Sequence, residues 1–85
     1  MQQLFSLFKN YTGKSNPDIE PIPSSGSNRR YFRLKKDDFS LIGVAGESRE
    51  ENRAFIELDK HFYRQHLNVP EVVAVSNDEM FYLQE

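Results

Sequence analysis

Cysteine is absent from the chain, which removes disulfides, thiolate zinc sites and cysteine nucleophiles together. Small secreted domains usually depend on disulfides, so this composition favours a cytosolic, that is cytoplasmic, setting. No apolar run approaches the roughly 20 residues that a membrane span requires. The segment Met1 to Lys9 lacks the basic n-region of a signal peptide and is interrupted by polar side chains. Glycine is sparse too. The loop best suited to phosphate holds only Gly26, so neither the Walker loop nor the G-x-G-x-x-G fingerprint is matched. Neither internal repeats nor low-complexity segments occur. The chain is also short: 85 residues bury only about 60–65% of the surface that the unfolded form exposes. A modest core follows, and a self-sufficient enzyme with a deep two-walled cleft does not.

What is present is a globular composition. The hydrophobic fraction is 38% and the charged fraction 28%, with seven Phe and four Tyr, enough for a core and unlike a disordered chain. The net charge of −2 is unevenly spread. Residues 29–36 (RRYFRLKK) carry five of the eleven Lys and Arg side chains and no acid, which leaves the rest of the chain at −7. A basic element on an acidic body fits a small anion better than an extended polyanion.

Leu4, Phe5, Leu7, Phe8 and Tyr11 recur at helical spacing with Gly13 behind them, which predicts an N-terminal helix over 1–13. Residues 14–18 are expected to form a linker, with Pro17 predicting an extended Asn16. The segment around Ile19 and Ile22 suits an edge strand, where Pro21 is tolerated. A polar loop, 24–28, leads into the alternating strand 30–36, with Arg30, Phe32 and Leu34 on one face and Arg29, Tyr31 and Arg33 on the other. Asp37-Asp38 is a turn, and Phe39 to Ala45 is a mostly buried strand. Ser48-Arg49-Glu50-Glu51 fits a capping box that opens a helix ending near Leu67-Asn68, before Pro70. Val72 to Val75 and Met80 to Leu83 are two further strands about a turn that includes Asp78 and Glu79. The order α-βββ-α-ββ makes one α+β domain, residues 1–85, with a helix laid on a five-stranded antiparallel sheet. Within the long helix, Phe55, Leu58 and Phe62 form an apolar stripe that reads as core.

Ser25, Gly26, Ser27 and Asn28, followed by Arg29 and Arg30, are the most informative run. Small residues let backbone N–H groups approach a phosphate, and adjacent guanidinium groups add charge-assisted bonds. The plain alternative is a hairpin turn beside a solvated basic face. His61 and His66 lie about 140° apart on an ideal helix and cannot share a metal. Ser24, Ser25 and Ser27 have no His and Asp near enough in sequence to suggest a nucleophile.

The run SSGSNRRYFRL, then SLIGV, EENRAF and LNVPEVVAV…FYLQE, resembles the aminoglycoside/choline kinase-like phosphotransferase family. It is most similar to a bacterial branch that includes cell-wall amino-sugar kinases. The resemblance covers about residues 19–85 and implies a protein-kinase-like N-terminal lobe. On that resemblance, Ser25 to Asn28 cover the phosphates of ATP, with Arg29 or Arg30 near them. Glu51, or Glu50 beside it, is the helix carboxylate that orients phosphate-binding groups, and Met80 to Glu85 run into the hinge that contacts adenine. The activity implied is transfer of the γ-phosphate to a small-molecule hydroxyl, an amino sugar's being the acceptor. One departure is that Gly43 stands where many kinases carry a phosphate-binding lysine, so Arg30 or Arg33 is the expected substitute. The catalytic loop and the Mg²⁺ ligands are expected in a C-terminal lobe of the same enzyme, from which this chain is cut. Alone, it is expected to be inactive.

Two other classes compete. One is a stand-alone module that holds RNA or a phosphorylated ligand on the basic strand 29–36, with Tyr31 and Phe32 as stacking rings. The acidic remainder and the lack of an RRM-type signature count against nucleic acid. The other is a structural or dimerisation domain that uses the N-terminal helix.

Overall fold

A computed structural model describes residues 2–23 and 28–85. The elements are α1 (Gln2–Thr12), β1 (Asp18–Ile22), β2 (Arg30–Lys36), β3 (Phe39–Ala45), α2 (Arg49–Arg64), β4 (Val72–Val75) and β5 (Phe81–Gln84). The five strands form one antiparallel sheet in the order β1-β2-β3-β5-β4. No helix among the described residues is long and apolar enough to cross a membrane.

Local chemistry explains the boundaries. Gly13 ends α1 at φ +79, and its N–H donates to the Lys9 carbonyl at 2.7 Å. Pro21 sits in β1, an outer strand, where a missing N–H leaves no ladder bond broken. The β2–β3 hairpin turns through Asp37, whose φ of 54° an aspartate tolerates. Ser48 caps α2 by accepting from the Glu51 N–H at 3.2 Å. The other end of α2 differs from expectation. The left-handed residue is His66, not Asn68, and its N–H and that of Leu67 donate back to Tyr63 and Phe62. This pair of bonds closes the helix early by satisfying two of its last carbonyls.

The two helices cover opposite faces of the sheet. Successive residues on a strand point to opposite sides, and on β5 Tyr82 and Leu83 divide accordingly. One face carries Leu34, Leu41 and Leu83 and is closed by Leu4, Leu7 and Phe8 of α1. The Phe8 ring meets Phe39 edge to face at 6.5 Å. The other face carries Val44 and Tyr82 and is covered by Ile56 of α2, with Tyr31, Ile42, Val72 and Val75 around them. A register shift between Val72 and Ala74 lets the short edge strand serve both faces, Val73 and Ala74 joining the α1 side. Thus α1 is a full layer of the core and not an appendage.

The apolar stripe on α2 is not its buried face, which corrects the sequence expectation. Phe55 and Leu58 are 54% and 50% exposed, whereas Asn52 and Ile56 are buried and Asp59 is half-buried. Residues 52, 56 and 59 follow the i, i+4, i+7 spacing of a single helix face. The rotation is imposed by polar ties to the β4–β5 turn. The Asn52 amide donates to the Glu79 carbonyl at 2.9 Å, Arg49 to the Asp78 carbonyl, and Arg53 to both oxygens of Glu79. Ile56→Ala is therefore expected to cost about 2–4 kcal/mol, and Leu58→Ala less than about 1 kcal/mol. Urea unfolding of the two variants measures both.

Candidate functional site

The face under α2 is the one on which β2 places Tyr31 and Arg33, and Arg29, just before that strand, lies on the same side against Phe55 of α2. Arg33 lies opposite Ile42, Ile42 opposite Gln84, and Gln84 opposite Val72, which makes one rung across four strands. The neighbouring rung runs Tyr31, Val44, Tyr82 and Val75. Ile56 packs on the second rung. In the first, Ile42, Gln84 and Val72 are half-buried and Arg33 is exposed, its guanidinium donating to the Ser40 hydroxyl at 3.1 Å. The result is a shelf on which the Gln84 amide stands between Ile42 and Val72, with the Arg33 cation beyond Ile42 and Glu20 of β1 opposite Arg33.

Arg29 behaves differently from its neighbours. It is 6% exposed, donates from Nη1 to the Tyr82 hydroxyl at 2.7 Å, and lies with its guanidinium carbon 3.8 Å from the centroid of the Phe55 ring. Its charge is used inside the fold, between sheet and helix. Asp59 closes the same region from α2. Burial pushes its carboxyl above the usual carboxylate range, and its Oδ1 is enclosed with no hydrogen-bond partner among the described residues. Burial also raises the Tyr82 phenol, against which Arg29 acts in the opposite direction.

The sequence-derived candidates do not converge on one point. Ser25, Gly26 and Ser27 lie outside the described residues. Asn28 is exposed and Arg29 is buried. Arg30 is exposed and falls on the α1 side of the sheet with Phe32 and Leu34, so of the two expected lysine substitutes only Arg33 shares a face with α2. Glu50 and Glu51 are exposed on the first turn of α2. Glu85 is exposed, its N–H donating to the Glu71 carbonyl at 3.0 Å. The Glu85 carboxylate, which accepts a hydrogen bond from the protonated Glu71 carboxyl, raises Glu71 together with burial and the Glu85 charge. The expected alignment of Gly43 with a lysine that meets a helix carboxylate needs correction. Gly43 points toward α1, where an added Cβ would lie 2.8 Å from Leu34 Cδ1 and 3.1 Å from both Leu4 methyls. The β3 positions that face α2 are Ile42 and Val44.

Asp59 and Tyr82 were not among those candidates. The spacing Asn52-Ile56-Asp59 was in the sequence, but two polar residues of three hide the stripe from a hydrophobicity pattern. Glu79, expected only as a turn residue, also holds Arg53 at 2.6 Å, which keeps its carboxyl below the usual range. The Asp78 carboxylate is lowered by the Ser76 hydroxyl at 2.6 Å and by the Met80 N–H. These two groups contribute stability that is present above the ordinary carboxylate pKa and lost as pH falls through their lowered values. Asp59 has the opposite sign: its contribution is full below the ordinary pKa and is lost as pH rises through the raised one. Asp59→Asn is accordingly expected to melt higher than the parent at pH 7 and at the same temperature at pH 3, as differential scanning calorimetry across that range would record.

No three His, Asp or Glu side chains among the described residues are grouped to hold a metal. Grooves of about 390 and 470 Å³ flank α1, and one of about 570 Å³ lies at the C-terminal end of α2. None of them is the shelf. No protein-family model, curated protein or solved structure matches the chain.

Proposed function

We propose that this chain is the nucleotide-binding lobe of a small-molecule kinase, which in its complete form transfers the ATP γ-phosphate to a hydroxyl group. The observation that carries the reading is the placement of α2 on the sheet face that bears Arg29, Tyr31 and Arg33, directly after a hairpin and a buried strand. Kinase-like lobes use that order because phosphoryl transfer depends on positioning and charge neutralisation more than on covalent chemistry. Here Ile42 and Val72 would take the adenine base, and Gln84, which stands between them on β5, would offer it an amide. Arg33 would face the phosphates. Mg²⁺ and the catalytic base would be held by a second lobe, which also supplies the acceptor pocket; an amino sugar is the acceptor that the sequence resemblance favours. A cytoplasmic setting, where ATP is available, fits the cysteine-free chain.

An RNA-binding module is less well supported. Tyr31 and Phe32 lie on opposite faces of the sheet and are both half-buried in packing, so they offer no shared platform for stacked bases. Titration of Mg·ATP into the isotope-labelled chain, followed by NMR, tests the reading. Saturable shifts are expected, with affinity reduced about 3–10-fold by Arg33→Gln and unchanged by Arg30→Gln. Absence of saturation, or binding of a single-stranded oligonucleotide that collapses steeply with salt, would contradict it.

A further inference from the structure

The two outer strands of the sheet differ in how they meet solvent. β1 carries Asp18, Glu20 and Pro21 among its five residues, all three exposed. Charges and a proline are what keep an edge from pairing with another chain. β4 has neither: Val72, Val73, Ala74 and Val75 are uncharged, and among the described residues they pair only with β5. Three of the four are β-branched and favour the extended state. The outer row of N–H and C=O groups on β4 is thus open to a further strand. We propose that β4 pairs antiparallel with β4 of a second copy of this chain, which joins the two sheets into one across a two-fold axis.

The occupant follows from what flanks the strand. Placing Val72 opposite Val75 of the other copy also sets Val73 opposite Ala74, so an apolar row meets its own reverse. Glu71, the acid just before the strand, then falls opposite Ser76 and away from its own counterpart, which avoids a like-charge pair. The same polarity carries the segment before one β4 toward the turn after the other. That segment leaves α2 with an exposed Arg64 and a half-exposed Leu67, and the turn holds an exposed Asp78. A cation of one copy therefore approaches an acid of the other, twice over. Beside the turn, a groove of about 390 Å³ between α1 and the end of β4 is lined by Leu7 and Val75 and by the amides of Gln3, Asn10 and Asn77. Leu67 is the apolar side chain brought to it, and uncharged amides can bond the main chain that arrives with it. The four-residue strand and its register shift between Val72 and Ala74 allow only a few ladder bonds, so the dimer is a transient one.

Sedimentation equilibrium of the 85-residue chain from micromolar to millimolar concentration tests this, with methyl NMR over the same series. The mass is expected to rise from 10.0 kDa toward twice that. Concentration-dependent shifts should fall on Val72, Val73 and Val75, and mixed labelling should give a contact between Val72 of one copy and Val75 of the other. Leu67→Ser is expected to weaken association about 3–10-fold and Arg64→Glu about 2–5-fold, both with a folded circular dichroism spectrum. Glu20→Gln, on the guarded edge, should leave association unchanged. A mass of 10.0 kDa at every concentration would overturn the proposal. So would shifts confined to the exposed Phe55 and Leu58 of α2, or association that responds to Glu20→Gln and not to Leu67→Ser. Mg·ATP plays no part in the test, so neither result bears on the kinase reading.

Discussion

Phe8→Ala is expected to lose about 3–5 kcal/mol of folding free energy, and the variant should be largely unfolded at 37 °C. The ring is completely buried and packs against Phe39 and the leucines of the α1 face. Truncation removes its transfer free energy and leaves a cavity between a helix and a sheet that cannot collapse onto each other. A domain of this length holds only about 5–10 kcal/mol in total, so the loss is most of what there is. Tyr11, on the same helix but half exposed, is the control. Tyr11→Ala should change stability by less than about 0.5 kcal/mol, and urea unfolding monitored by circular dichroism separates the two. Equal losses would mean that α1 does not close the sheet as described.

Gly46→Ala should be nearly as damaging, by about 2–4 kcal/mol, through overpacking and a lost buried hydrogen bond together. An added Cβ at this position would collide with the fully buried Asn52 amide, coming within 2.7 Å of its Cγ and Nδ2. That amide holds the Glu79 carbonyl, so displacing it loosens the tie that sets the rotation of α2. The collision is between side chain and side chain, which makes the cost conditional on Asn52. In the double variant with Asn52→Gly the two losses should fall short of their sum by at least about 1 kcal/mol. Full additivity in a urea-denaturation cycle would show that Gly46 is required for some other reason.

Element types and order were legible because the strand alternation in 30–36, the Ser48 cap and the Gly13 stop are local signals that tertiary packing did not override. The α2 stripe was misread for a physical reason. Phe55, Leu58 and Phe62 carry the apolar signal, but the helix is oriented by hydrogen bonds from Asn52, Arg49 and Arg53 to one turn, and periodicity is blind to these. One member of the stripe that the structure leaves exposed still finds a use, since the Phe55 ring carries the Arg29 guanidinium. The basic run was visible as composition, yet its division into a buried Arg29, an Arg30 on the α1 side and an Arg33 on the α2 side depends on which helix covers which face. Gly43 shows the same limit. An alignment can place it beside a lysine, but only the strand's parity against α1 reveals that its missing side chain makes room for Leu4.

The most direct measurement is a Mg·ATP titration of the chain carrying labelled Ile, Leu and Val methyl groups, because these report the two sheet faces separately. Saturable shifts at Ile42, Val44 and Val72, with Leu4, Leu34 and Leu41 unmoved, are the expected result. Shifts confined to the α1 leucines, or none that saturate, would contradict a nucleotide shelf under α2.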